Sequence, residues 1–185
     1  MLRKLLPFTL TLLTGCSAWF ASTPKYLPQE PVAAAEAPYA CAEGFAQRSE
    51  LLTLSATEAP VRPLKESKSA PLVFANKLFV DQLIDHVSRL TPFDNGWSSY
   101  ALRVRSDGAK SLSAHLTKLQ LPSGSEVWWC APDGSLRQGP FRDAPLGEMW
   151  TPVVLGEEAW LEIFVPSRRR KEFQATLAEV NAGFR

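Results

Sequence analysis

Glu157, Glu158 and Glu162 lie close together in the chain. Two carboxylates whose surroundings split their pKa values can run glycosidic chemistry. The same three residues also fit a turn followed by the wet face of a strand. His86 stands near Asp81 and Asp85, a set that can hold a metal or exchange protons, or simply line a solvated helix or strand edge. Ser113 and His115 share one face of a strand, without the third group that a nucleophilic triad requires. They read as a surface pair. Trp128, Trp129, Trp150 and Trp160 offer flat apolar faces to a sugar or a partner peptide, although core packing accounts for most of them. Neighbours in a strand point to opposite faces. Trp128 and Trp129 therefore either expose one ring or lie buried between two layers, and they form the leading candidate binding surface. Arg168, Arg169, Arg170 and Lys171 follow Pro166. They suit a solvated hairpin loop, a contact with anionic headgroups or an acidic partner, or a dibasic processing site. No constellation here requires a metal, a cofactor or a catalytic role, so the expectation is a non-enzymatic protein.

The elements that must position these residues are strands. From Gly96 to Val165 apolar and polar residues alternate, with turn signals about every ten residues, as in an antiparallel β-sandwich. The alternation of Tyr100, Leu102 and Val104 with Arg103 and Arg105 gives one buried and one wet face. Asn95-Gly96, Asp107-Gly108, Ser123-Gly124 and Asp133-Gly134 mark turns. Strands are predicted over 97–105, 109–121, 126–131, 148–154 and 158–165. The tail 173–184 is predicted as a last strand with Phe173, Ala175, Leu177 and Val180 inward. The stretch 72–90 is predicted as strand with one helical turn. The fold class is all-β, a jelly-roll-like antiparallel sandwich.

Length and charge narrow the function classes. The chain has 185 residues and a formal net charge of +1, which argues against nucleic acid as a partner. Six Trp and ten Phe suffice for a core. Many of the fifteen Pro lie before Leu72, separating a linker-like front from a folded back. The predicted organisation is a signal segment over 1–15, a tether over 16–70 and the sandwich over 71–185.

Arg3 and Lys4 precede an apolar run from Leu5 to Leu13 that is too short to span a bilayer. Leu13-Thr14-Gly15-Cys16 resembles the bacterial lipobox. The resemblance implies cleavage before Cys16, a diacylglycerol on its sulfur and stable membrane anchoring by up to three acyl chains. An ordinary secretory signal cleaved nearby is the alternative. Ser17 stands where an Asp would signal inner-membrane retention, which favours an outer-membrane lipoprotein, facing the periplasm or the surface. The prolines at 24, 28, 31 and 38 favour extended chain. About 25 such residues would reach on the order of 75 Å. Residues 40–54 suit a short helix, or a first edge strand over 51–54.

With Cys16 lipidated, Cys41 and Cys130 remain as an even pair. In an oxidising compartment they can form a disulfide that staples the end of the tether to the sandwich. Its loop of about 90 residues would contribute roughly 4–5 kcal/mol by chain entropy. The alternative is a buried thiol at Cys130 and a free one at Cys41.

Several motifs follow one another in a specific order. They are Trp97 with Leu102-Arg103-Val104-Arg105-Ser106, then Gly108-Ala109 and Ser111-Leu112. Leu121-Pro122 and Gly124 come next, followed by Asp133-Gly134 and Gly139-Pro140-Phe141. The longest run is Gly147-Glu148, Trp150-Thr151-Pro152-Val153-Val154 and Gly156-Glu157, followed by Leu161-Glu162 and Pro166. Val180 and Gly183-Phe184-Arg185 close the series. Over 72–185 this order resembles the N-terminal pro-region sandwich of lysyl-endopeptidase-type and related trypsin-like bacterial serine proteases. In those enzymes a domain with a His-Asp-Ser triad follows. Here His86 and His115 both fall inside the non-catalytic region, and no Gly-x-Ser-x-Gly stretch occurs. The resemblance therefore implies no proteolysis. It implies a binding role, as chaperone or inhibitor of a secreted trypsin-like protease, or a remnant of a protease precursor. A carbohydrate- or peptidoglycan-binding module using the tryptophans is the other reading.

Overall fold

The computed structural model of the protein describes residues 36–55 and 73–184. The signal segment, Cys16 and most of the expected tether lie outside these residues. Eleven strands and one α-helical turn, besides short 3-10 turns, are present among the described residues: β1 (Glu50–Leu54), β2 (Ala75–Leu83), α1 (Ile84–Val87), β3 (Arg89–Pro92), β4 (Trp97–Ser106), β5 (Ser111–Gln120), β6 (Glu126–Cys130), β7 (Arg137–Phe141), β8 (Met149–Trp150), β9 (Val154–Leu155), β10 (Glu158–Pro166) and β11 (Gln174–Gly183). They form two sheets. The first has the order β1-β4-β10-β6-β7, with β3 also on β4; the second has the order β2-β11-β5-β8, with β9 also on β5. All pairs are antiparallel except β1 with β4. The chain is an all-β sandwich, as its patterning predicts.

The core lies between the sheets. Tyr100, Leu102 and Val104 of β4 meet Leu161, Ile163 and Val165 of β10, Val127 and Trp129 of β6, and Leu112, Ala114 and Leu116 of β5. Each set is one parity of its strand, so alternation alone sends it inward. Two departures from period two are built in. Leu116 and Leu119 are three apart yet both buried, because the register against β11 shifts between them, where Lys118 takes φ 50°. Leu177 and Val180 are likewise both buried across a shift in β11. A β-bulge adds the extra residue that restores the inward face.

Two expectations change in detail. The predicted strand over 148–154 is two short pieces, β8 and β9, interrupted at Thr151–Val153, where Pro152 has no N–H for a ladder. The basic stretch does not close a hairpin: it lies in a 3-10 turn (Ser167–Glu172) that carries the chain from β10 in one sheet to β11 in the other.

The largest change concerns the tether. Residues 36–54 belong to the folded domain. Cys41 is bonded to Cys130, Phe45–Arg48 makes a 3-10 turn, and β1 adds to the free edge of β4. The described part of the 16–70 segment is therefore a cover on the first sheet. Its composition reads as linker because it buries only a few apolar side chains, at Ala40, Cys41 and Phe45.

Candidate functional site

The outer face of the first sheet is closed. Trp97, Phe164, Cys130, Ala40 and Cys41 form a second, smaller core there, with Ala37, Phe93, Trp128 and Trp160 against it. Phe45 stacks on Trp160 with ring centroids 4.6 Å apart. Glu162 is fully buried at the centre of this face. Its carboxylate pairs with Arg48 and accepts the backbone N–H of Cys41 at 2.7 Å. The wet strand face expected for Glu162 is thus corrected: strand parity does point it away from the main core, but the 36–48 cover excludes water. A charge buried this way needs both a counter-ion and hydrogen bonds, and the cover supplies both.

The same cover decides the tryptophans. Trp129 is buried in the main core and Trp128 is half-buried in the smaller one. The indole N–H of Trp128 donates to Glu126 at 3.1 Å, and its ring lies so near Gly139 that a Cβ there would fall 2.8 Å from it. The two point to opposite faces, as a strand requires, yet neither presents an open platform.

The exposed face belongs to the second sheet. Trp150 of β8 is in register with His115 of β5, His115 with Glu179 of β11, and Glu179 with Phe79 of β2. The four residues form one row across four strands. Trp150 is 52% exposed and Phe79 80%. The His115 ring stacks on Trp150 at 3.9 Å and 8°, and its Nε2 lies 3.4 Å from Glu148. Lys77 Nζ sits 2.9 Å from Glu179 and 5.8 Å from the Phe79 ring centroid. Val153 and Leu155 extend the apolar surface along the sheet edge beyond Trp150. The arrangement can hold a flat or apolar group against an indole with the exposed Glu148 carboxylate beside it, whereas Glu179 is buried and paired with Lys77. Sequence reasoning missed Phe79, Lys77 and Glu179. The signal lay in β2: Leu78 and Val80 share one parity, so an apolar Phe79 on the other parity is out of place on a wet face.

The remaining candidates are dispersed. Ser113 and His115 share this outer face, with no hydrogen bond between them. His86, Asp81 and Asp85 are exposed, and among the described residues no group of three or more His, Cys, Asp and Glu is placed to hold a metal. A groove of about 690 Å³ at one end of the sandwich is lined by Arg105, Asp133, Leu136, Leu155, Glu157 and Glu158, among others. Its carboxylates serve the fold. Glu157 accepts the Gly108 N–H at 2.9 Å and Glu158 the indole N–H of Trp160 at 2.8 Å. The hydroxyl and backbone N–H of Ser135 hold the Asp133 carboxyl below its ordinary range.

The basic turn lies at the other end. Arg168, Arg170 and Lys171 are exposed, whereas Arg169 is bonded to Glu172 at 2.7 Å. That contact lowers the Glu172 pKa below its ordinary value. Arg170 also acts on buried Tyr100, whose phenol is pushed up by burial, pulled back by Arg170 and raised further by Asp85. No helix among the described residues is long and apolar enough to cross a membrane. Compared with known proteins, the chain matches no protein-family model and no curated protein.

Proposed function

We propose that this protein is a lipid-anchored, non-catalytic binding domain of the bacterial cell envelope. It holds its partner against the outer face of the second sheet. The observation that carries the reading is the row Trp150–His115–Glu179–Phe79, in which Trp150 and Phe79 stand exposed at either end of a largely buried His115 and Glu179, while the opposite face of the sandwich is covered. Large exposed aromatic groups on a rigid sheet are what recognition surfaces use. The order of motifs, which resembles that of protease pro-regions, is the ground for naming a secreted trypsin-like protease as the partner, with the domain as its chaperone or inhibitor. The half-open indole of Trp150 beside Glu148 favours a second reading, a glycan such as peptidoglycan. There the ring takes the apolar face of a sugar and the carboxylate its hydroxyls.

Affinity capture from the native envelope with wild type and Trp150→Ala tests the role of the face. Specific recovery of a protease that the variant loses supports the first reading. Retention on insoluble peptidoglycan that the variant loses, with no protease recovered, supports the second. Equal behaviour of wild type and variant in both assays would remove the face from the function. The anchor is tested separately: the mass of the natively processed N-terminus should carry the acyl groups on Cys16.

A further inference from the structure

We infer that Arg168, Arg170 and Lys171 form a docking surface for an anionic lipid bilayer, which turns one end of the sandwich toward the membrane that holds it. The inference rests on reading Cys16 as the anchor, and its test is independent of that reading.

Three observations carry it. The first is where the chain enters the domain. Asn95 Nδ2 donates to the carbonyl of Glu36 at 3.4 Å, which places the first described residues beside the β3–β4 turn. That turn is tied to the basic one: the N–H of Ser167 donates to Gly96 O at 2.9 Å, and the hydroxyls of Ser98 and Ser167 are 2.8 Å apart. The incoming chain and the cations therefore share one end of the sandwich.

The second is the length outside. Glu36 follows Cys16 by 20 positions, a span of at most about 70 Å. A chain this short keeps the domain at high effective concentration near the surface that holds its lipid, so even a weak second contact is populated.

The third is charge. Among the described residues Arg168, Arg170 and Lys171 make no ion pair or side-chain hydrogen bond, while Arg169 is neutralised locally by Glu172. The carboxylates of this end are Glu172, engaged by Arg169, Asp94 and Glu36 at the neighbouring turn, and Asp85, which acts on Tyr100 along with Arg170. At the opposite end the turns carry Asp107, Asp133 and Glu157, with Glu158 opening β10; there Arg105 is paired to Asp107 at 2.8 Å, Arg103 lies 4.0 Å from Glu158, and Lys110 is the exposed cation. A bilayer bearing negative headgroups is attracted to the first end and repelled by the second. The groove then faces away from the membrane, and the second sheet stands edge-on to it, accessible to a partner.

The test uses the mature chain from residue 16 carrying Cys16→Ser, exported so that Cys41–Cys130 closes, and therefore bound by no acyl chain. Its flotation is measured with vesicles of phosphatidylcholine alone and of phosphatidylcholine with phosphatidylglycerol at 3:1. Binding to the anionic vesicles only, lost at high salt, is expected. Each basic side chain near such a surface is worth roughly a five-fold factor. The variant Arg168→Ser/Arg170→Ser/Lys171→Ser should therefore bind on the order of 100-fold more weakly, with unchanged thermal unfolding. Arg168→Lys/Arg170→Lys should bind as the parent, because the surface needs only positive charge. Equal binding to both vesicle types, no binding to either, or a serine variant that binds as the parent overturns the docking surface. Recovery of an acidic protein through these residues, without vesicle binding, also overturns it. An unmodified Cys16 in the native protein removes the anchor and leaves the vesicle result standing.

Discussion

The backbone N–H of Cys41 donates to the carboxylate of Glu162 at 2.7 Å, across 121 positions of the chain. Arg48 grips the same carboxylate, with Nη2 at 3.0 Å from Oε2, and its guanidinium lies 5.1 Å from the Phe45 ring centroid. One buried charge in the middle of a strand thus organises the whole cover.

Breaking that relationship from one side should cost more than removing it entirely. Arg48→Met leaves Glu162 buried without its counter-ion, and a loss of about 3 kcal/mol in unfolding free energy is expected. The lower end of the usual range applies because Arg48 retains some contact with water. The double variant Arg48→Met/Glu162→Met should recover much of this. Urea unfolding of the two variants beside the parent checks the order.

The Cys41–Cys130 bond joins the cover to β6 across 89 positions. Replacing both with Ser is expected to lower stability by roughly 2–5 kcal/mol, with a drop in Tm on the order of 10 °C. Amide hydrogen exchange should rise first in 40–48 and remain slow in β4 and β10, since the main core does not depend on the cover. Uniform loss of protection throughout both sheets would contradict that division.

Trp150 and Trp129 should separate binding from folding. Trp150→Ala removes a half-exposed ring and should change stability by about 1 kcal/mol or less, while abolishing capture of the partner. Trp129→Ala empties a fully buried site and should cost about 3–5 kcal/mol. Thermal unfolding and the capture assay, read together on each variant, decide it.

Glu172 should titrate below the ordinary carboxylate value of 4.5, because Arg169 donates to it. The sign follows from linkage: a depressed folded-state pKa contributes stability above the unfolded value, which is lost as the pH falls through the folded one. The pair is exposed, so the effect on stability is small. The observable is the carboxyl chemical shift. In Arg169→Ala its midpoint should move up toward 4.5, and an unmoved midpoint would assign the depression to another cause.

Period-two alternation made the sandwich legible in the chain. Tyr100, Leu102 and Val104 against Arg103 and Arg105 specify a strand and its inward face by parity alone, because side chains alternate across a sheet whatever lies beyond it. The opposite orientations of Trp128 and Trp129 follow from the same geometry. Parity says which face a residue occupies; it does not say what covers that face. Only the tertiary structure laid 36–48 over the first sheet. This buried Glu162 and half-buried Trp128 on a face that reads as wet, and left Trp150 and Phe79 open on the second. The pairing of Cys41 with Cys130 could be posed from the count of cysteines, but its closure depends on the path of the cover. The row Trp150–His115–Glu179–Phe79 draws on four strands spread from β2 to β11. Register across strands, which no local pattern encodes, is what brings it together.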